Sequence, residues 1–410
     1  MADYSPEELE APAWLDDKFF TDILQSAEND PSIQIHDGGK LRPATNPGDN
    51  YCSIMFRTTV RYTSNRQPNE LVVNLIIKTT PTTEGFKKEM TKDNTLFLTE
   101  IKMYSKVLPA MSKLLADVGE HLEIPTLIHA STLPNTVIVL EDVSPRGWLP
   151  GRKCIESLEE ARFTIRNIAM FHATSLYLQK TTMDLSTNDV MQLMTSGEVL
   201  NIFTRGYDEL CNAVEKWQGC EEFAKKLKYF NGSVKERLQQ VYTANPQSLG
   251  YNVLNHGDFQ WKNLMHKRNP ANRIVDSMLI DYQCCHWGSP AIDVLYLIDL
   301  IVDNQTKTAY RNDIIHEYHQ HFTTILNKLG FADKIPSLVD LQIELLRKGF
   351  LELMHVCVFE QFKHMELTGS TFDEYNDGKL SKPCFENPKF RDIVRSELLS
   401  LMYKGFLNEF

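Results

Sequence analysis

Apolar residues recur at helical spacing between residues 13 and 27, where Trp14, Leu15, Phe19, Ile23 and Leu24 predict an amphipathic helix. The period then shortens. Ser53 to Tyr62 and Glu70 to Lys78 read as strands, and the polar run Thr63 to Asn69 between them reads as a loop. Helical spacing returns over 86–115, and Thr136 to Leu140 is a short, β-branched strand. Beyond about residue 145 the pattern is mostly helical, over 155–178, 207–217, 220–243, 306–329, 337–365 and 388–405. One β-like stretch interrupts this half. Leu264 to Lys267 reads as a strand, Arg268 to Asn272 as a turn by its Pro and Asn content, and Arg273 to Ile280 as a returning strand. The expected fold class is α+β with two lobes: residues 1–142 form a small antiparallel sheet plus helices, and residues 143–410 are mainly α.

The interruption carries the candidate chemistry. His256-Gly257-Asp258-Phe259-Gln260-Trp261-Lys262-Asn263 precedes the hairpin, and Asp281-Tyr282-Gln283 follows it. The hairpin is expected to return Asp281 beside Asn263. An Asp, an Asn five residues on and a second Asp after a short hairpin are the acidic and amide parts of a phosphoryl-transfer site; protein kinases use H-R-D-x-x-x-x-N and D-F-G in this way. Such a transfer needs little covalent help from the protein. It needs a positioned hydroxyl, Mg²⁺ on the phosphates and neutralisation of developing charge. Asp258 can take or orient the hydroxyl proton. Asn263 and Asp281 offer the oxygen ligands that hard Mg²⁺ prefers. These three are the catalytic candidates, the last two also the metal candidates.

The first lobe holds matching parts in order. Leu75-Ile76-Ile77-Lys78 resembles the V-A-I-K strand, whose Lys pairs with ATP phosphates. Glu100 lies in the helical segment Phe97 to Tyr104 and is expected to pair with Lys78, with Glu89, set among Lys87, Lys88 and Lys92, as its competitor. Gly48-Asp49-Asn50-Tyr51-Cys52-Ser53 precedes the first strand. It is not G-x-G-x-x-G, yet a turn there could present backbone N–H groups, and Ser53 a hydroxyl, to phosphate. A hinge is expected after Leu140-Glu141-Asp142-Val143, with an ATP cleft between the lobes.

Composition narrows the partners. The 410 residues carry a net charge of -11, which disfavours nucleic acid and anionic membrane surfaces, since both need clustered Lys and Arg. No apolar run approaches the roughly 18 residues of a membrane span. The acidic start, Met1 to Glu10, lacks the basic and apolar regions of a signal peptide. The eight cysteines are scattered and form no C-x-x-C, which fits free thiols in a reducing, cytoplasmic setting. His316-Glu317-Tyr318-His319-Gln320-His321 is not H-E-x-x-H and reads as a helical surface, and Asp373 to Asp377 reads as a solvated acidic loop.

With these parts in order, the chain resembles the insect ecdysteroid kinase-like family, within the choline kinase and aminoglycoside phosphotransferase superfamily. The resemblance runs from about Trp14 to residue 405. Beyond the residues above it rests on Glu141-Asp142, on Ile168 to Ser175 with its Phe171-His172-Ala173, and on Gly288 to Val294. Cys52 is a mild departure, standing where similar proteins often carry a small residue such as Ala. The resemblance implies a protein-kinase-like two-lobe fold. It implies that backbone groups of Glu141 and Val143 bind adenine, and that His172 and Asp293 support the catalytic loop from behind. No long activation segment separates Asp281 from Pro290 and Asp293, so small molecules are the expected acceptors. The expectation is an ATP- and Mg²⁺-dependent kinase acting on a small-molecule alcohol, such as an ecdysteroid, another steroid or a xenobiotic alcohol. The alternatives are a choline or amino-alcohol kinase and an inactive nucleotide-binding pseudokinase. Oligomeric state and the acceptor hydroxyl are not legible.

Overall fold

The strand Ile54–Ser64 alternates buried and half-buried residues along almost its whole length, the mark of a strand with one face on a core. It pairs antiparallel with Gln67–Thr79 in a long hairpin. Residues 6–45, 53–81, 88, 94–363 and 381–407 are described by this computed structural model. By internal packing the chain divides into two units, Ala2–Ala110 with Glu123–Leu149, and Met111–Leu122 with Pro150–Phe410.

The first unit is built on one antiparallel sheet. Its strands run in the order Gln34–Asp37, Ile54–Ser64, Gln67–Thr79, Val137–Glu141, Leu127–Ser131, and Arg42–Pro43 adds to Ile54–Ser64. The helix Asp17–Ala27 covers it, placing Phe20, Ile23 and Leu24 in a core with Phe56, Val60, Leu75, Ile77 and Val139. That helix starts four residues later than its apolar pattern suggests, because Asp16 caps it by accepting from Phe19 N at 2.8 Å. The loop expected over 63–69 is a tight turn instead. Ser64 pairs with Gln67, and only Asn65 and Arg66 connect the strands. Their polarity is used locally: Ser64 Oγ donates to Asp30, and Arg66 donates to the carbonyls of Glu28 and Asn29. The strands at 34–37, mostly exposed, and 127–131, evenly half-buried, are too short to give an alternating signal.

The second unit is mainly helical. Its axis is Leu158–Thr181, buried over most of its circumference from Thr164 to Ser175 and packed against Asn304–Lys328. Three expected helices are corrected. The one expected at 207–217 is Gly197–Val214, since Phe203 lies in helical phase with Tyr207, Leu210 and Val214 and is buried with them. The one expected at 220–243 is two, Glu221–Lys228 and Val234–Tyr242, broken where Gly232 takes a positive φ of 76°. The one expected at 337–365 is Leu338–Arg347 and Phe350–Met354, followed by a π-helical turn at His355–Phe359. A second π turn lies at Leu297–Ile301. The α+β class and the division into a small antiparallel sheet region and a larger helical region match the sequence expectation.

Candidate active site

The hairpin forms as the sequence suggests. Leu264–Arg268 pairs antiparallel with Ile274–Leu279, and Asn272 turns the chain at a φ of 59°. Ile280 N donates to Asn263 O at 3.0 Å, which carries Asp281 back beside the start of the hairpin. Asp281 itself takes a left-handed conformation, φ 65° and ψ 64°. A non-glycine residue held there is uncommon and marks a position fixed by its surroundings.

Asp258 and Asn263 meet directly. Asn263 Nδ2 donates to Asp258 Oδ2 at 2.7 Å and to the Asp258 carbonyl at 2.8 Å. The amide nitrogen is thus committed, and the amide oxygen is the end left to serve as a metal ligand. Asp258 Oδ1 accepts from Gln260 Nε2 at 2.8 Å, and Asp281 Oδ2 accepts from Gln283 Nε2 at 3.2 Å. Burial pushes the Asp258 carboxyl above the ordinary carboxylate range, the nearby Asp281 charge adds to this, and His256, Asn263 and Gln260 oppose it. The two carboxylates are thus close enough for the charge of one to act on the other.

The loop is held from behind. Asp293 Oδ2 accepts from His172 Nε2 at 3.0 Å and from His256 N at 2.5 Å, while Oδ1 accepts from Gly257 N at 3.0 Å. A carboxylate can only accept, so His172 Nε2 carries the proton. His172 Nδ1 meets Tyr318 Oη at 2.7 Å. One turn on, Ser175 Oγ accepts from Leu254 N at 2.9 Å. The helix Leu158–Thr181 therefore fixes the strand Val253–Asn255 and the loop after it. Gly257 has a φ of 81°, and a Cβ there would lie 2.1 Å from Cys284 O, so both conformation and space require glycine. Gly151 is needed for space alone, since its Cβ would meet Trp261 O at 2.1 Å. Cys284 and Cys285 lie buried behind this turn.

In the first unit, Lys78 Nζ lies 2.6 Å from Glu100 Oε2, with both side chains almost fully buried. Lys78 is at the end of an apolar strand opposite Met55, and Glu100 is on the inward face of Thr95–Lys102 with Leu96 and Phe97. Glu89 and Gly48 to Cys52 lie outside the described residues. Ser53 is buried just before the strand Ile54–Ser64, one residue beyond the Ile54–Thr79 pair. Glu141 N donates to Thr126 O at 2.9 Å. The Glu141 side chain is taken by Arg146 at 2.8 Å.

A model of the ecdysteroid kinase-like family matches residues 47–331. The chain belongs to this family. For this ecdysteroid kinase-like chain, that span includes Lys78, Glu100, the segment His256 to Asn263 and Asp281. Similar solved structures include an aminoglycoside phosphotransferase from Alicyclobacillus acidocaldarius, 12% identical over 84% of this chain and 90% of that one, with a TM-score of 0.34. An ethanolamine kinase from Plasmodium vivax is 12% identical over 91% and 87%, TM-score 0.34. A choline kinase from Streptococcus pneumoniae is 11% identical over 93% and 98%, TM-score 0.35. No curated protein matches the chain in sequence.

The sequence reading missed Gln260, Gln283 and Tyr318. The first two had a signal: each carboxylate is followed at the second position by glutamine, Asp258-Phe259-Gln260 and Asp281-Tyr282-Gln283. Among the described residues no group of three or more His, Cys, Asp or Glu side chains could hold a metal ion. His319 Nε2 meets Pro336 O at 3.0 Å. The Asp373 to Asp377 segment lies outside the described residues, and no described helix is long and apolar enough to cross a membrane.

Proposed function

We propose that this chain is a small-molecule kinase that moves the γ-phosphate of MgATP to an alcohol. The observation that carries the reading is the Asp258–Asn263 hydrogen bond at 2.7 Å with the Asp281 charge beside it, on a loop held by Asp293. In this reading Asp258 orients the acceptor hydroxyl and takes its proton. The acceptor oxygen forms a bond to the γ-phosphorus as the bond from that phosphorus to the ADP oxygen breaks. A carboxyl raised by burial is the better proton acceptor.

The oxygen donors of Asn263 and Asp281 fit Mg²⁺, which is usually held by one or two carboxylates together with substrate phosphates. Bound there, Mg²⁺ would supply charge neutralisation on the phosphates. Lys78, oriented by Glu100, is assigned to the phosphates, as is Ser53. The Glu141 carbonyl and the Val143 N–H are assigned to adenine. Residues 1–142 thus serve the nucleotide, and residues 143–410 the catalytic loop and the acceptor.

The surroundings of Trp261 favour an uncharged or anionic acceptor over an amino alcohol. Lys153 Nζ and Lys262 Nζ lie 6.0 and 5.6 Å from its ring centroid, so this aromatic ring, close to Asp258 in the chain, already has cations beside it. A steroid or xenobiotic alcohol is therefore preferred to choline. The test is γ-phosphate transfer from MgATP to a panel of sterols, ecdysteroids, amino alcohols and aminoglycosides. Phosphorylation of uncharged polycyclic alcohols is expected. Transfer confined to amino alcohols would overturn the acceptor assignment, and MgATP binding without any transfer would favour a pseudokinase.

A further inference from the structure

The helix Leu338–Arg347 is apolar on two faces, and only one of them is covered. It packs on Ala291–Tyr296 and Asn304–Lys328, with Leu341 and Leu345 buried. Glu344 anchors the same side, its Oε2 accepting from Asn245 Nδ2 at 2.5 Å and from Ser289 Oγ at 2.6 Å. Val339, Ile343 and Leu346 stay 66%, 39% and 56% exposed. A surface helix normally carries one apolar stripe, and a helix that is apolar all round is normally buried. The steps of four and three residues from Val339 to Ile343 to Leu346 are those of a coiled-coil seam. Leu249, 59% exposed, adds to this surface at the end of the helix, where Arg347 Nη1 donates to its carbonyl.

We propose that this face is a self-association surface, on which a second copy of the chain lays the same helix antiparallel across a two-fold axis at Ile343. The choice of occupant follows from the face being complementary to itself, as a two-fold interface must be. Val339 lies four residues before Ile343 and Leu346 three after it, so antiparallel pairing sets Val339 against Leu346 of the second copy, twice. Asp340 lies three residues before Ile343 and Arg347 four after it, on one flank of the seam. The same pairing sets Asp340 against Arg347 of the second copy, again twice. Charged flanks of this kind fix partner and orientation in paired helices. Parallel pairing would set Asp340 against Asp340 and Arg347 against Arg347. Asp340 Oδ2 accepts from Ser337, and Arg347 Nη1 is taken by Glu344 Oε1 at 3.0 Å and by Leu249 O. Among the described residues, Asp340 Oδ1 and Arg347 Nη2 are not used in this way, and they remain for the second copy. A ten-residue helix is about 15 Å long, so the contact falls short of the roughly 800 Å² per partner of a standard interface, and the dimer is weak and concentration-dependent.

The experiment is sedimentation equilibrium on the full chain from about 1 to about 500 µM, the range in which a weak complex forms. Wild type is compared with Ile343→Glu, Asp340→Lys, Arg347→Glu and an equimolar mixture of the last two, with thermal unfolding as the check on folding. The mass of wild type is expected to rise from one chain toward two across the range. Ile343→Glu sets two like charges on the axis and removes the rise. Asp340→Lys and Arg347→Glu each set two like-charge pairs across the axis, and each is expected to self-associate about tenfold more weakly. In the mixture one pair is Lys with Glu and the other Arg with Asp, so association returns to near the wild-type level. Both variants bring any folding defect into the mixture unchanged, so the recovery reads the contact alone. Wild type that stays a single chain up to about 500 µM overturns the proposal and leaves the face to a different partner. A dimer that Ile343→Glu does not weaken, or a mixture that associates no better than either variant alone, overturns it as well.

Discussion

Lys78 Nζ and Glu100 Oε2 form a 2.6 Å ion pair with only 4% and 2% of their side chains exposed. Removing one partner of a buried pair leaves an uncompensated charge, at a cost of about 3–5 kcal/mol, whereas replacing both by apolar groups is often near neutral. We therefore expect Lys78→Met alone to lower the urea midpoint strongly and the Lys78→Met/Glu100→Met double variant to recover most of it. Both remain poor in phosphoryl transfer. Lys78→Arg does not restore transfer, because a planar fork replaces a compact point charge. A double variant with wild-type turnover would remove Lys78 from the mechanism.

Asp281 and Asn263 differ in what they offer a cation. A carboxylate contributes charge and an amide only a dipole. Asp281→Ala is expected to weaken Mg²⁺-dependent nucleotide binding more than Asn263→Ala. Calorimetric titration with MgATP and with metal-free ATP separates the two effects. Equal MgATP affinity in wild type and Asp281→Ala would contradict the metal assignment.

Much of this was legible in the chain because its signals are local. The hairpin that returns Asp281 follows from alternating apolar residues around Pro270 and Asn272, and Glu100 follows from helical phase with Phe97 and Tyr104. The illegible parts depend on long-range contacts. Nothing near His172 in sequence announces Tyr318, 146 residues away, as its partner. The π turns at Leu297–Ile301 and His355–Phe359 leave no mark on a 3.6-residue period, since each inserts one residue into an otherwise helical run. The helix break at Gly232 is local, marked by the glycine itself and not by the apolar period, which runs through it.

Asp293 makes stability depend on acid. Burial pushes its carboxyl up, but the bond from His172, the nearby His256 and the Gly257 N–H outweigh this and hold it below the ordinary range. A depressed carboxyl stabilises the fold fully above its unfolded pKa of about 4, and that contribution is lost as pH falls through the lower folded value. Asp293→Asn is expected to be destabilised at pH 7, and the gap to wild type should narrow as pH drops below about 4. Urea unfolding midpoints at several pH values decide this. A gap that stays constant down to pH 3 would contradict it.

Gly257 tolerates no side chain. Its φ is 81°, and a Cβ would overlap Cys284 O at 2.1 Å, which is backbone and cannot swing aside. Gly257→Ala is expected to move the loop and reduce transfer at least tenfold, as about 1 Å of misplacement costs about 10²-fold in comparable sites. MgATP affinity should change less than turnover. Steady-state kinetics with turnover within twofold of wild type would show that the loop does not need this geometry.

The central claim is that Asp258 serves the acceptor hydroxyl. The direct measurement is mass-detected transfer of the γ-phosphate from MgATP to an alcohol that wild type accepts, compared with Asp258→Asn at matched MgATP saturation. The variant keeps the size of the side chain and its acceptor oxygen but loses the carboxylate. We expect product formation to fall by about 10² to 10⁴ with MgATP affinity largely retained. Product formation within threefold of wild type would contradict the assignment.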